Sequence, residues 1–217
     1  MPEFQQTAAV WSRGILRHEF GVDQTEMEFF MERVPGHSHG SATGFTPPPG
    51  VTVNQIPPEN NIGEMLLAGE LDATLLYLPS HNLIDRSSAD LENHPDFVPL
   101  FRNRTAEGLR YYRKTGIYPI NHGMVIKREI AEKHPWAMLN ILKAFVAANE
   151  LADRQRLEHV EYYRASGLLT SDTYEALQEP LVRHGIAANR STLETAAQYS
   201  LEQGLTPRLM PLDEVFA

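Results

Sequence analysis

The 217 residues include no cysteine, which excludes disulfides, thiolate metal sites and cysteine nucleophiles. No apolar run approaches the roughly 20 residues that a membrane span needs. Positive charge is scarce: 19 Lys and Arg stand against 28 Asp and Glu, for a formal net charge of −9. Phosphate backbones need a basic face, so nucleic acid is not expected as a partner. The opening Met-Pro-Glu-Phe-Gln-Gln-Thr lacks the charged and apolar regions of a secretory signal. A soluble, cytoplasmic protein is expected, or a periplasmic one if a signal lies upstream. There is no P-loop, no dinucleotide-type Gly fingerprint and no internal repeat. What is present is ordinary for a globular chain, 42% hydrophobic and 22% charged residues. The length suffices for a real core, in one large domain or two small lobes.

Thr7 to Phe20 reads as the first helix, with Thr7 as N-cap and Gly21 as the stop. Met27–Phe30 and Val51–Ile56 read as strands. Asn61 to Gly69 reads as a short helix, and the near-continuous apolar run Leu71–Leu78 as a strand buried on both faces. Strand, helix, strand is the βαβ pattern of a parallel sheet. His81 follows that last strand, and ligands of open α/β sheets bind at carboxyl ends of strands, so His81 is a candidate contact. Between the strands, Gly-His-Ser-His-Gly at 36–40 carries two His but no carboxylate close in sequence, and reads as a solvated loop rather than a metal site.

Ala106–Lys114 is expected to be helical, as are Lys127–Lys133 and Pro135 to about Arg156. The stripe Trp136, Leu139, Leu142, Phe145, Val146 and Leu151 is expected to be core. Ser171–His184 and Ser191–Gln203 complete the helices, with Ser171 and Ser191 as caps. The stretch 111–126, Tyr-Tyr-Arg-Lys-Thr-Gly-Ile-Tyr-Pro-Ile-Asn-His-Gly-Met-Val-Ile, concentrates rings, cations and a His ahead of an apolar run. It reads either as a decorated approach to a buried strand or as a polar site held still by that strand.

Several segments stand out together: Thr-Ala-Ala-Val-Trp-Ser-Arg-Gly-Ile-Leu at 7–16 with His-Glu-Phe-Gly-Val at 18–22, and Met-Leu-Leu-Ala-Gly-Glu-Leu-Asp-Ala at 65–73. The others are 111–122, Asn-Arg-Ser-Thr-Leu at 189–193, and Glu-Gln-Gly-Leu at 202–205. Together they resemble 4,5-dihydroxyphthalate decarboxylases. The segment 65–73 is also similar to type 2 periplasmic binding proteins. The resemblance implies an α/β fold, periplasmic-binding-protein-like type 2, lacking the N-terminal part of the first lobe. It divides the chain into an α/β lobe with a mostly parallel sheet at 1–110, an interlobe crossover at 111–126, and a mostly helical segment of the other lobe at 127–217. It also implies self-association, or a partner covering the missing lobe.

The activity implied is decarboxylation of a dihydroxylated aromatic dicarboxylate to a dihydroxybenzoate, with a small aromatic carboxylate as ligand. Arginine forks hold carboxylates bidentately and helix starts add N–H donors, so Arg13 with Gln6 and Thr7 is a candidate anchor. Arg113 and Lys114 are candidates to hold the second carboxylate, and Asn121 is a further candidate substrate contact. His122 is the preferred general acid or base, because imidazole titrates near neutrality, and His81 is the second. No ligand cluster predicts a metal site, and the cofactor is unknown. The competing reading is a non-catalytic solute-binding protein for a small aromatic carboxylate, since one fold hosts both. A fragment without activity is the third.

Overall fold

The computed structural model describes residues 1–38, 45–77, 86–180 and 182–216. They form a mixed α/β protein with a small sheet and many helices. The chain divides into two units, residues 1–121 with 191–217, and residues 122–190.

In the first unit, helix α1 spans Thr7–Phe20, as its apolar spacing predicts. Its cap differs from expectation: Gln6 holds the N-cap position, and Thr7 is the first helical residue. The helix ends on Gly21 at φ 72°, whose N–H bonds Arg17 O at 3.1 Å, a left-handed cap that glycine adopts without strain. Ala9, Val10, Trp11, Arg13 and Gly14 form its buried face. Gly14 is required there by a close approach, since a Cβ at this position would lie 2.0 Å from the Tyr199 ring.

Strands β1 (Glu28–Met31) and β2 (Thr52–Gln55) pair in parallel, Glu28 opposite Thr52 and Met31 opposite Gln55. Phe29 from β1 packs with Met1, Phe4, Ala9 and Val51 in one core cluster. Helix α2 (Ile62–Leu67) starts at Asn61, whose side chain accepts from Glu64 N. Ile62, Met65 and Leu66 pack with Ile56 and Leu91.

The expected strand at 71–78 does not form over its described residues 71–77, where Asp72, Ala73 and Leu76 are exposed. Leu76 has a φ of 64°, which a regular strand does not admit. Apolar composition signals burial, but a strand also needs a neighbour to take its backbone groups. Among the described residues the sheet has two strands, which pair only with each other.

Helix α3 (Arg104–Thr115) begins on Asn103, whose side chain accepts from Ala106 N, and stops on Gly116. Tyr111 from α3 joins Val10, Trp11, Ile117 and Tyr199 in a second cluster, and Trp11 Nε1 donates to Ile120 O at 3.0 Å. Beyond Ile117 the expected buried strand is absent, and Val125 is 89% exposed. An apolar run that finds no strand to pair with stays irregular.

Helix α1 is also tied to α3 by charge. Glu19 accepts from Lys114 Nζ at 3.0 Å and from Arg110 Nη1 at 2.9 Å. The bond from Lys114 first, then that from Arg110, holds the Glu19 carboxyl below its usual 4.5 against an opposing contribution from burial. A depressed carboxylate stabilises the fold above its unfolded value and stops doing so as pH falls through the folded one. Melting temperature is therefore expected to drop between about pH 5 and about pH 3, and less steeply in Glu19→Gln. Equal slopes in the two proteins would remove this contact from the acid response.

In the second unit, α4 spans Arg128–Lys133, α5 Pro135–Ala165 and α6 Ser171–Ala176. Helix α5 runs well past the Arg156 expected from its pattern. The stripe expected as core is not core here: Trp136 is 62% and Leu139 61% exposed, with Leu142, Phe145 and Leu151 exposed as well. Periodicity reports which face is apolar, not what covers it. Helix α6 is shorter than expected because Pro180 has no N–H and disfavours helix in the residue before it. Its N-cap is Thr170, one residue before the Ser171 expected.

Helix α7 (Ile186–Glu202) starts before Ser191, which lies inside it rather than at its cap. Its residues from Ser191 on belong to the first unit and carry Tyr199 against α1. The short helix α8 (Leu212–Val215) follows.

Candidate active site

Arg13 is the side chain around which the polar chemistry of the first unit collects. Two turns into α1, on its apolar face, it is 2% exposed rather than solvated. Its Nε donates to Gln203 Oε1 at 2.9 Å, Nη2 to Phe4 O at 2.7 Å, and Nη1 approaches Met1 Sδ at 3.9 Å. The guanidinium carbon lies 3.7 Å from the Phe4 ring centroid, a cation–π contact. A guanidinium has five N–H donors, so two are left without a partner among the described residues. No described carboxylate pairs with it. Burial pushes its pKa down to about 9, which still leaves a cation at neutral pH.

Gln203 completes the connection from the far end of the chain. While its Oε1 accepts from Arg13, its Nε2 donates to Val10 O at 2.8 Å. A pocket with room for about one water-sized group opens beside them, lined by Arg13, Gly14, Arg17, Gln24, Glu202 and Gln203. Gln24 is buried there, and its Oε1 has no hydrogen-bond partner. The pocket therefore offers spare donors from Arg13 and a spare acceptor from Gln24, which together suit a hydroxyl or a protonated carboxylate oxygen.

The rim is charged. Arg17 lies 3.4 Å from Asp23 and 3.8 Å from Glu202 Oε2. Glu202 Oε2 also meets His18 Nε2 at 2.7 Å, and its Oε1 accepts from Gln198 at 2.7 Å. Partial burial raises the Glu202 carboxyl, but the hydrogen bonds from His18 and Gln198 outweigh it and the net shift is downward. The His18 ring stacks on Tyr199 at 5.0 Å. Burial drives the Tyr199 phenol up, and Tyr111 beside it adds to that.

The sequence candidates fare unevenly. Gln6 is half-buried at the start of α1 with its Oε1 unpartnered, and Thr7 beside it is exposed. Arg13 lies two turns further on, engaged with Gln203 and Phe4 O instead. Arg113 is exposed on α3, while Lys114 next to it pairs with Glu19. Asn121 closes the first unit and His122 opens the second, both exposed. His81 lies outside the described residues. His18, Gln24, Glu202 and Gln203 carry no signal of site chemistry in the sequence alone, and Arg17 has only its i, i+4 spacing from Arg13. Nothing local ties either arginine to residues 202–203. Among the described residues no group of three His, Asp or Glu side chains is arranged to hold a metal.

These features define a mixed α/β protein with a buried arginine cation facing a small polar pocket. No protein-family model matches the chain. A curated relative, the 4,5-dihydroxyphthalate decarboxylase of Comamonas testosteroni, is 24% identical over 221 residues, an alignment covering all of this chain and 64% of the relative. The chain thus spans less than two thirds of the length of that relative. No described helix is long and apolar enough to cross a membrane.

Proposed function

We propose that this chain decarboxylates a dihydroxylated aromatic dicarboxylate such as 4,5-dihydroxyphthalate to a dihydroxybenzoate, on a periplasmic-binding-protein-like type 2 fold. The observation that carries the reading is a similarity to a decarboxylase of that name along the entire chain. The chemistry of the first unit supports it. Removing carbon dioxide from an aromatic acid needs a cation to orient the carboxylate, and Arg13 is a buried cation with donors to spare. The pocket admits one oxygen-sized group, so a substrate oxygen would enter it while the ring rests at the mouth beside Arg17. Gln6, Thr7, Arg113 and Asn121 are proposed substrate contacts, His122 a proposed acid for the ring carbon, and His81 a second proton carrier.

The test is incubation of the purified chain with 4,5-dihydroxyphthalate, following carbon dioxide and 3,4-dihydroxybenzoate. Both products are expected in equal amounts. Tight binding by calorimetry with no carbon dioxide would sink the enzyme and point to a solute-binding protein. In the same assay His122→Ala is expected to lose about 100-fold in kcat with an unchanged melting temperature; full activity removes His122 from the reaction. We further propose that copies of the chain associate through the exposed apolar residues of α5. Sedimentation showing a monomer at all concentrations would end that proposal.

A further inference from the structure

We infer that His18, oriented by Glu202, carries the phenolic proton of the substrate, an assignment that rests on the decarboxylase reading above. The geometry of the pair is that of an activated imidazole. One ring nitrogen, Nε2, is fixed on Glu202 Oε2 at 2.7 Å. One ring face is fixed on Tyr199, which is itself seated against Trp11 and over Gly14. The other nitrogen, Nδ1, has no partner among the described residues, and the side chain is 43% exposed. A carboxylate that orients an imidazole, with its second nitrogen presented outward, is the arrangement by which a base is held in one tautomer.

Glu202 does not serve His18 alone. Its Oε1 is held by Gln198, and Arg17 comes within 3.8 Å of the oxygen that His18 bonds. Arg17 and His18 thus flank a single oxygen of Glu202, and the proposed substrate lies with its carboxylate toward the cations and its phenolic hydroxyl on His18 Nδ1. Glu202 also lines the pocket of Arg13 and Gln24, so the proton-carrying pair and the buried cation share one wall.

His18 takes the proton of the hydroxyl para to the departing carboxylate, and the phenolate electrons raise the charge at the ring carbon that bears it. That carbon accepts a proton that comes in the net reaction from solvent. The bond to carbon dioxide then breaks, its electron pair returns to the ring, and His18 gives the proton back to the phenolate oxygen. Nothing is oxidised or reduced. Substrate plus one proton becomes dihydroxybenzoate plus carbon dioxide. His18 is the catalytic residue of this step and Glu202 a positioning residue.

Steady-state decarboxylation of 4,5-dihydroxyphthalate by the full chain tests this, with His18→Gln, His18→Ala and Glu202→Gln. Gln reaches far enough to keep a donor on Glu202 but cannot carry a proton. His18→Gln is expected to lose about 100-fold in kcat with KM within about threefold. Added imidazole is expected to restore at least about tenfold of the activity lost by His18→Ala and nothing in Glu202→Gln, whose own loss, about tenfold, falls on kcat. A His18→Gln enzyme with wild-type kcat overturns the assignment, as does a folded His18→Ala enzyme that imidazole does not rescue. If His18→Ala fails to fold, His18→Gln alone decides. A wild-type chain that releases no carbon dioxide is a different failure: it removes the decarboxylase reading and takes this assignment down with it.

Discussion

Arg13→Ala is expected to lower unfolding free energy by about 3–5 kcal/mol, seen as a large fall in the urea midpoint. Three losses combine. The deletion empties space beside Phe4 and Met1, against which the guanidinium now packs. It strands two buried acceptors, Phe4 O and Gln203 Oε1, each costing roughly 1–3 kcal/mol when left unmade. It also frees Gln203, which otherwise clamps the end of α7 to Val10 O. Against these stands one gain, because a buried guanidinium without a carboxylate partner bears a desolvation penalty, visible in its pKa of about 9. Arg13→Met tests that balance. It refills most of the volume without the charge, so it is expected to fall between wild type and Arg13→Ala, within about 2 kcal/mol of wild type. If Arg13→Ala unfolds at the wild-type midpoint, Arg13 is not a structural keystone.

Glu32→Ala is expected to cost about 3 kcal/mol or more and to release the segment around Arg86. Glu32 sits just past the end of β1, is 2% exposed, and accepts three hydrogen bonds. They come from Ile62 N at the start of α2 (3.1 Å), from Arg86 N (2.5 Å) and from Ser87 Oγ (3.2 Å). The Arg86 guanidinium reaches back to Glu32 O and Asn60 O, at 2.9 and 2.8 Å. One carboxylate therefore joins a strand end, a helix start and a loop distant in sequence. Removing it leaves the Ile62 and Arg86 amides with nothing to accept from them, while the Ser87 hydroxyl keeps Asn61 Oδ1 at 3.3 Å, and the side chain that replaces it fills none of the space. Hydrogen exchange is the measurement: the amides of Ile62 and Arg86 are expected to lose protection while α3 keeps its own. Unchanged exchange at both would mean that the clamp carries no stability.

The helices were legible because their signals are local. Asn61 and Asn103 cap their helices through their own side chains, Gly21 and Gly116 stop theirs at positive φ, and the apolar spacing of α1 is visible without any partner. The two strands were legible too, as short β-patterned runs, but their pairing with each other was not, since the parallel partner expected for 51–56 was 71–78. The strand expected at 71–78 and the buried strand expected after Ile117 fail for a common reason. Apolar runs announce that something must cover them, but only a neighbouring chain segment turns such a run into a strand. The exposed stripe on α5 is the helical form of the same limit.

The candidate site divides along this line as well. By itself the sequence determined that Arg13 stands on α1 and that residues 7–22 and 202–205 belong to one pattern. That was local spelling. The tertiary structure alone decided that Arg13 is buried rather than solvated, that it bonds Gln203 190 positions away, and that His18 meets Glu202 across 184. Hydrogen-bond partners at such separations leave no trace in spacing or periodicity. They are selected when burial removes water and every polar group left inside must find another polar group to bond.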